Sequence, residues 1–203
     1  MNRATRTRAL SDDEIVSLWD ALESEEVPLP FRRIVRVLLL TAQRRNEVGL
    51  MRTEEIDGEI WTIPAERYKT GIPNVVPLTK DARTCIGDRA EGFVFSSNGG
   101  KRAFNGYSKA KSQLDKVITR KRRKARLKAM PPWTLHDLRR TARSLMARAG
   151  APSDVAELVL GHKIPGVRGV YDRHSYLAEK RTALEKLAAL IRDILNSNNV
   201  ASE

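Results

Sequence analysis

Four residues in the last third of the chain have the types and spacing that suit attack on a phosphodiester. His136 and Arg139 form an H-x-x-R pair, His162 follows 26 residues after the first histidine, and Tyr171 stands nine residues beyond it. Tyrosine supplies a nucleophile, arginine and histidine neutralise phosphoryl oxygens, and such chemistry requires no metal. Residues three apart share a helix face, so His136 and Arg139 address one spot, with Arg143 a turn further. A first-turn position also turns the positive end of the helix dipole towards it. A guanidinium matches two phosphate oxygens better than an ammonium does.

Each part has a plainer reading in isolation: a solvated basic helix face, a histidine capping carbonyls behind Gly161, a core tyrosine in the segment from Val167 to Tyr171. The combination is also incomplete. A tyrosine of pKa ~10 needs a base or a positive field. The leaving 5′-oxygen needs a proton donor, and one arginine does not easily cover both non-bridging oxygens. The front half offers candidates. Thr41-Ala42-Gln43-Arg44-Arg45-Asn46-Glu47-Val48 sets an arginine three residues before a glutamate, and Lys69 falls at or near a hairpin tip. A surface Arg/Glu pair and a solvated lysine are the plainer alternatives.

The elements that must position these residues are mostly helical. Ser11-Asp12-Asp13-Glu14 reads as a capping box, followed by Ile15, Leu18, Trp19 and Leu22 on one face. Pro28 and Pro30 break that helix, and Phe31 to Gln43 reads as a deeply buried one. Arg44 to Met51 predicts a turn and a short helix. The period then changes: Asp57-Gly58, residues 59–63, a turn around Lys69-Thr70-Gly71 and residues 74–78 predict a small antiparallel sheet. Phe93-Val94-Phe95 is a short apolar piece. A helix over about 105–119 runs into Arg120-Lys121-Arg122-Arg123-Lys124-Ala125-Arg126-Leu127-Lys128, seven cations in nine residues. This stretch reads either as a DNA-backbone contact or as a solvated, mobile loop. Thr134 to Asp137 is a second capping box, opening a helix that ends at Gly150. Ser153 caps a helix ending at Gly161, and 176–196 forms a final amphipathic helix. The expected fold class is mainly α with a small antiparallel β-sheet (α+β). Its expected organisation is a basic linker or arm over 1–10, one domain over 11–196 and a tail over 197–203.

With 203 residues the chain can bury one substantial core. Its 37 Lys and Arg against 25 Asp and Glu leave a net charge of +12, which points to a polyanionic partner. Aromatic residues make up only 5%, which disfavours stacking on an aromatic platform as the binding mode. The single Cys85 excludes an internal disulfide and a thiolate metal cluster, favouring an intracellular, metal-independent protein. No apolar run approaches the ~18 residues of a membrane span, and the basic start lacks the apolar centre of a secretory signal.

Taken together, the Thr41–Val48 motif, Lys69-Thr70-Gly71 through Leu78, His136-Asp137-Leu138-Arg139-Arg140-Thr141, Leu160-Gly161-His162 and Tyr171-Asp172-Arg173 resemble the catalytic domain of tyrosine recombinases, the phage integrase family. The prophage and genomic-island integrases are the most similar branch. The resemblance implies that Arg44 and Arg139 clamp the scissile phosphate, with His136 and His162 hydrogen-bonding it and assisting proton transfer. It implies Lys69 as the donor to the leaving 5′-hydroxyl, Glu47 as an orienting group, and Tyr171 as the residue forming the 3′-phosphotyrosyl bond. Tyr176 is a second candidate nucleophile, disfavoured by its spacing from His162. Arg45, Arg140, Arg143 and the cations Arg120, Lys121, Arg122, Arg123 and Lys124 are candidate DNA contacts.

The resemblance further implies a bacterial or prophage protein of the cytoplasm and nucleoid, acting on double-stranded DNA attachment sites without metal or other cofactor. The full-length protein would assemble as a homotetramer on DNA, with DNA-bending accessory proteins as further partners. Because the pattern starts almost at Met1, the chain reads as an isolated catalytic fragment, mainly monomeric, without the N-terminal DNA-binding domains such proteins carry. Two rival readings stay open: a type IB topoisomerase-like enzyme relaxing DNA, and a non-catalytic DNA-binding remnant.

Overall fold

Local capping chemistry starts the first helix where the sequence predicts it. Glu14 turns its carboxylate back onto the Ser11 N–H at 3.0 Å and opens α1 (Asp12–Ala21). The computed structural model describes residues 8–68, 71–87, 91–162 and 176–199. Helix α1 ends at Ala21, before either proline; Pro28 and Pro30 instead begin the next helix, α2 (Leu29–Thr41), since a first-turn proline gives up an N–H that has no helical acceptor. Phe31, Ile34, Val35, Val37, Leu38, Leu39 and Leu40 bury almost the whole circumference of α2. Only the strip carrying Arg32, Arg33 and Arg36 is left out of the core, so α2 lies near its centre. It packs on α3 (Arg45–Gly49), α4 (Lys80–Ile86), α6 (Leu135–Arg148) and α8 (Leu177–Asn199).

The sheet is three-stranded and antiparallel, in the order β1 (Ile56–Asp57), β2 (Ile60–Ile63), β3 (Asn74–Pro77). Trp61 pairs with Val76 and Ile63 with Asn74, so alternation on β2 buries Trp61 and Ile63 and exposes Thr62. The Phe93-Val94-Phe95 piece contributes a single bridge, Arg52 to Phe93, rather than a strand. Helix α4 is not among the expected elements. It is short and charged, buries Ala82 and Ile86 alone, and starts where Thr79 Oγ1 accepts the Ala82 N–H at 3.2 Å.

Helix α5 (Tyr107–Lys124) extends past the predicted end into the basic stretch, which is therefore helical through Lys124. Helix α6 opens at Thr134, whose N–H donates to Asp137 at 2.8 Å, and the chain leaves it through Gly150 at φ +74°. Helix α7 (Ser153–Val159) is capped by Pro152, with Ser153 as its first residue rather than its cap. Leu10 is buried with its N–H on Thr141 Oγ1 at 2.9 Å, and α8 runs to Asn199.

Candidate active site

The site is assembled where the ends of α2, α6 and α7 converge. At the end of α2 the chain reverses through Ala42, which takes the left-handed conformation at φ 57°. The turn is braced from inside by Gln43, whose buried Nε2 donates to Thr41 O at 2.7 Å and Val159 O at 2.8 Å. Asn74 Nδ2 on β3 completes that amide by donating to Gln43 Oε1 at 3.1 Å. Arg44 then caps α3. Glu47, 3% exposed, accepts the Arg44 backbone N–H at 2.7 Å through one oxygen and its guanidinium at 2.9 Å through the other. Desolvation works against the Arg44 charge, yet the Glu47 carboxylate and then Tyr68 together offset it and hold Arg44 above its ordinary pKa.

Arg139, 6% exposed on α6, is fixed by main-chain oxygens. Its Nη1 donates to Ala42 O and its Nη2 to Leu160 O, both at 2.7 Å. Leu160 O also accepts the Tyr68 hydroxyl at 3.0 Å, and the Tyr68 ring lies 5.6 Å from the Arg44 guanidinium carbon. Burial, then the positive charge of Arg44, push the Arg139 pKa down to about 10, which leaves it charged at neutral pH. An anion held between two such guanidiniums relieves their repulsion. Burial, then the negative charge of Glu47, raise the Tyr68 pKa, so its hydroxyl stays a donor.

Both histidines reach this region. His162 follows Gly161, and its Nε2 lies 3.4 Å from Arg139 Nη2 while its Nδ1 lies 2.6 Å from Glu157 Oε2. Gly161 has two reasons to be glycine. Its φ is +67°, and a Cβ there would stand 1.5 Å from the Tyr68 hydroxyl. His136 is exposed on the first turn of α6 and shares with Arg44 the wall of a groove of about 520 Å³. Partial desolvation, then the charges of Arg140 and Arg139, hold its pKa below the ordinary value, so the ring is neutral at physiological pH. Lys69 and Tyr171 lie outside the described residues.

The candidate DNA contacts separate into groups. Arg45 is exposed, with its guanidinium 5.3 Å from the Tyr107 ring on the groove wall. Arg140 binds Asp137 at 2.7 Å, while Arg143 binds Glu157 and Ser153, both at 2.8 Å. The basic stretch is not a free loop, because α1 and the turn after it line it with acids. Arg120 pairs with Glu26, and Lys121 with Asp20 at 2.7 Å. Arg122 is 4% exposed and donates to Lys128 O and Ser17 Oγ at 2.7 Å and to Asp13 Oδ2 at 2.9 Å. Burial takes Arg122 out of any DNA-facing surface, and within that group of five Arg123 and Lys124 are exposed.

Tyr68, Gln43, Asn74 and Glu157 join the site without a spacing signal of their own in the sequence. Tyr68 adjoins Lys69 but reaches Leu160 by tertiary contact, and Glu157 meets His162, five residues on, through the turn that ends α7. Residues 8–177 match the phage integrase family. Prophage integrase IntZ of Escherichia coli (strain K12) is 32% identical over 188 residues, covering 91% of this chain and 45% of that protein. This chain thus spans less than half of its relative. Among solved structures, the integrase of mycobacterium phage Brujita superposes with a TM-score of 0.64 at 14% identity, over 96% of this chain and 65% of the other. A lambda integrase dimer bound to a COC′ core site superposes with a TM-score of 0.59 at 20% identity, over 82% and 62%. These two likenesses concern the fold. The matched residues include the Arg44 turn, the α6 pair and His162, and the chain belongs to the phage integrase family.

Proposed function

We propose that this chain is the catalytic domain of a tyrosine-type site-specific DNA recombinase, integrating or excising a prophage or mobile element. The observation that carries the reading is the fixing of Arg139 between Ala42 O and Leu160 O, with His162 at 3.4 Å and the Arg44 charge acting on it. Pre-set donors and charges of this kind favour a phosphoryl group whose charge grows during reaction.

In this reading Arg44 and Arg139 hold the non-bridging oxygens of the scissile phosphate, assisted by His136 and His162. The Tyr171 hydroxyl gives up its proton and its oxygen bonds to phosphorus, while the bond to the 5′-oxygen breaks. Lys69 protonates that oxygen, releasing a 5′-hydroxyl and leaving a 3′-phosphotyrosyl ester. Attack by another 5′-hydroxyl reverses the step, with no net change in the number of phosphoester bonds. The substrate is duplex DNA at attachment sites. The full-length protein works as a tetramer on two such sites, with DNA-bending proteins as accessory partners.

The test is a nicked half-site from the junction of the element, mixed with protein and run on a denaturing gel. A covalent adduct is expected from wild type and Tyr176→Phe and absent from Tyr171→Phe. Loss in Tyr176→Phe alone overturns the nucleophile assignment. Absence of any adduct from the full-length protein on its own junction overturns the recombinase reading.

A further inference from the structure

His162 is gripped by Glu157 twice. Its backbone N–H donates to Glu157 O at 2.9 Å, and its Nδ1 meets the Glu157 carboxylate at 2.6 Å. The second carboxylate oxygen is held by Arg143 Nε at 2.8 Å, and Arg143 Nη2 is held in turn by Ser153 Oγ at 2.8 Å. Burial opposes ionisation of Glu157, but its bonds to Arg143 and His162 prevail and lower its pKa, so a carboxylate faces the ring at neutral pH.

The two neighbours of the imidazole select the same proton arrangement. A carboxylate only accepts, so Nδ1 carries the hydrogen; a guanidinium only donates, so the Nε2 facing Arg139 carries the lone pair. We propose that Glu157 is a positioning residue that fixes His162 in the Nδ1-protonated tautomer and presents a basic Nε2 beside Arg139. This rests on the reading of the site as a DNA strand-transfer centre. A proton taken up at Nε2 from a reacting hydroxyl yields an imidazolium whose Nδ1–H still meets the Glu157 carboxylate. The logic is that of a base oriented by a third group.

The tautomer is read from long-range proton–nitrogen correlation spectra of the imidazoles in the free protein at neutral pH, with the His162 signals identified by their loss in His162→Gln. Wild type and Glu157→Gln, whose amide oxygen still accepts, are expected to show protonated Nδ1 and bare Nε2. Glu157→Ala should show mixed tautomers. On the nicked half-site its cleavage should fall about 10- to 100-fold, as for other residues that orient a reacting ligand, with partial recovery in Glu157→Gln. Predominant Nε2 protonation in wild type, or an unchanged signature in Glu157→Ala, overturns the proposal. Failure of wild type to cleave counts against the strand-transfer reading, while the spectra still decide the Glu157 assignment.

Discussion

At the scale of single residues, the site depends on the shape of arginine as much as on its charge. Arg139 spends part of its planar fork on Ala42 O and Leu160 O, which fixes the plane of the remainder. An ammonium in its place keeps the positive charge but not both anchors. Arg139→Lys is therefore expected to bind DNA within a few-fold of wild type and to cleave on the order of 100-fold more slowly, the usual cost of removing one oxyanion donor. Filter binding and single-turnover cleavage on the same duplex separate the two effects. Equal losses in both would contradict the role. The neutral state of His136 has a different origin, desolvation and the neighbouring Arg140 and Arg139 charges.

At the scale of elements, helix α8 is joined to the Arg44 turn through polar groups. Lys180 Nζ donates to Val75 O at 2.6 Å and to Asn74 Oδ1 at 3.0 Å, and Asn74 carries the chain of bonds on to Gln43. Burial lowers the Lys180 pKa from 10.5 to about 8. The unfolded chain therefore binds more protons between those values, and the cost of burying the ammonium is full below about pH 8 and lifted as pH rises towards 10.5. Relative to Lys180→Met, wild type should gain stability across that window by at most roughly 3 kcal/mol, as measured by denaturant unfolding. A flat difference would show that Lys180 titrates normally. The contrast between legible and hidden features has the same basis. Arg44 with Glu47 and His136 with Arg139 are readable because their spacing within a short stretch carries the signal, and His162 because it follows Gly161 at a fixed distance from His136. Tyr68, Asn74 and Glu157 are not, because each acts on a partner from another element or on a turn whose shape the sequence does not display. Helix α4 was hidden for a related reason: it is short and buries only Ala82 and Ile86, too few residues to impose a period.

At the scale of the whole molecule, the +12 charge is unevenly available. Between Ala9 and Phe31 the chain has no lysine or arginine, and its acids on α1 and the following turn engage the basic end of α5. Arg120, Lys121 and Arg122 thus serve the fold at least as much as any DNA surface. Arg122→Ala is expected to cost about 2–3 kcal/mol, since it removes charge-assisted bonds from a buried site, and thermal unfolding will register it. Neutralising Arg123 and Lys124 together should leave stability within about 0.5 kcal/mol. If they meet phosphates, it should also lower the salt slope of DNA binding by one or two. An unchanged slope would assign both to solvent.

The anchors of Arg139 have one more consequence. Both are backbone oxygens, of Ala42 and Leu160, and a backbone oxygen is the same whatever side chain the residue carries. Substitutions at either position can accumulate without removing the acceptor, provided the turn keeps its path. A lineage can therefore drift far in sequence around this arginine while inheriting its placement unchanged.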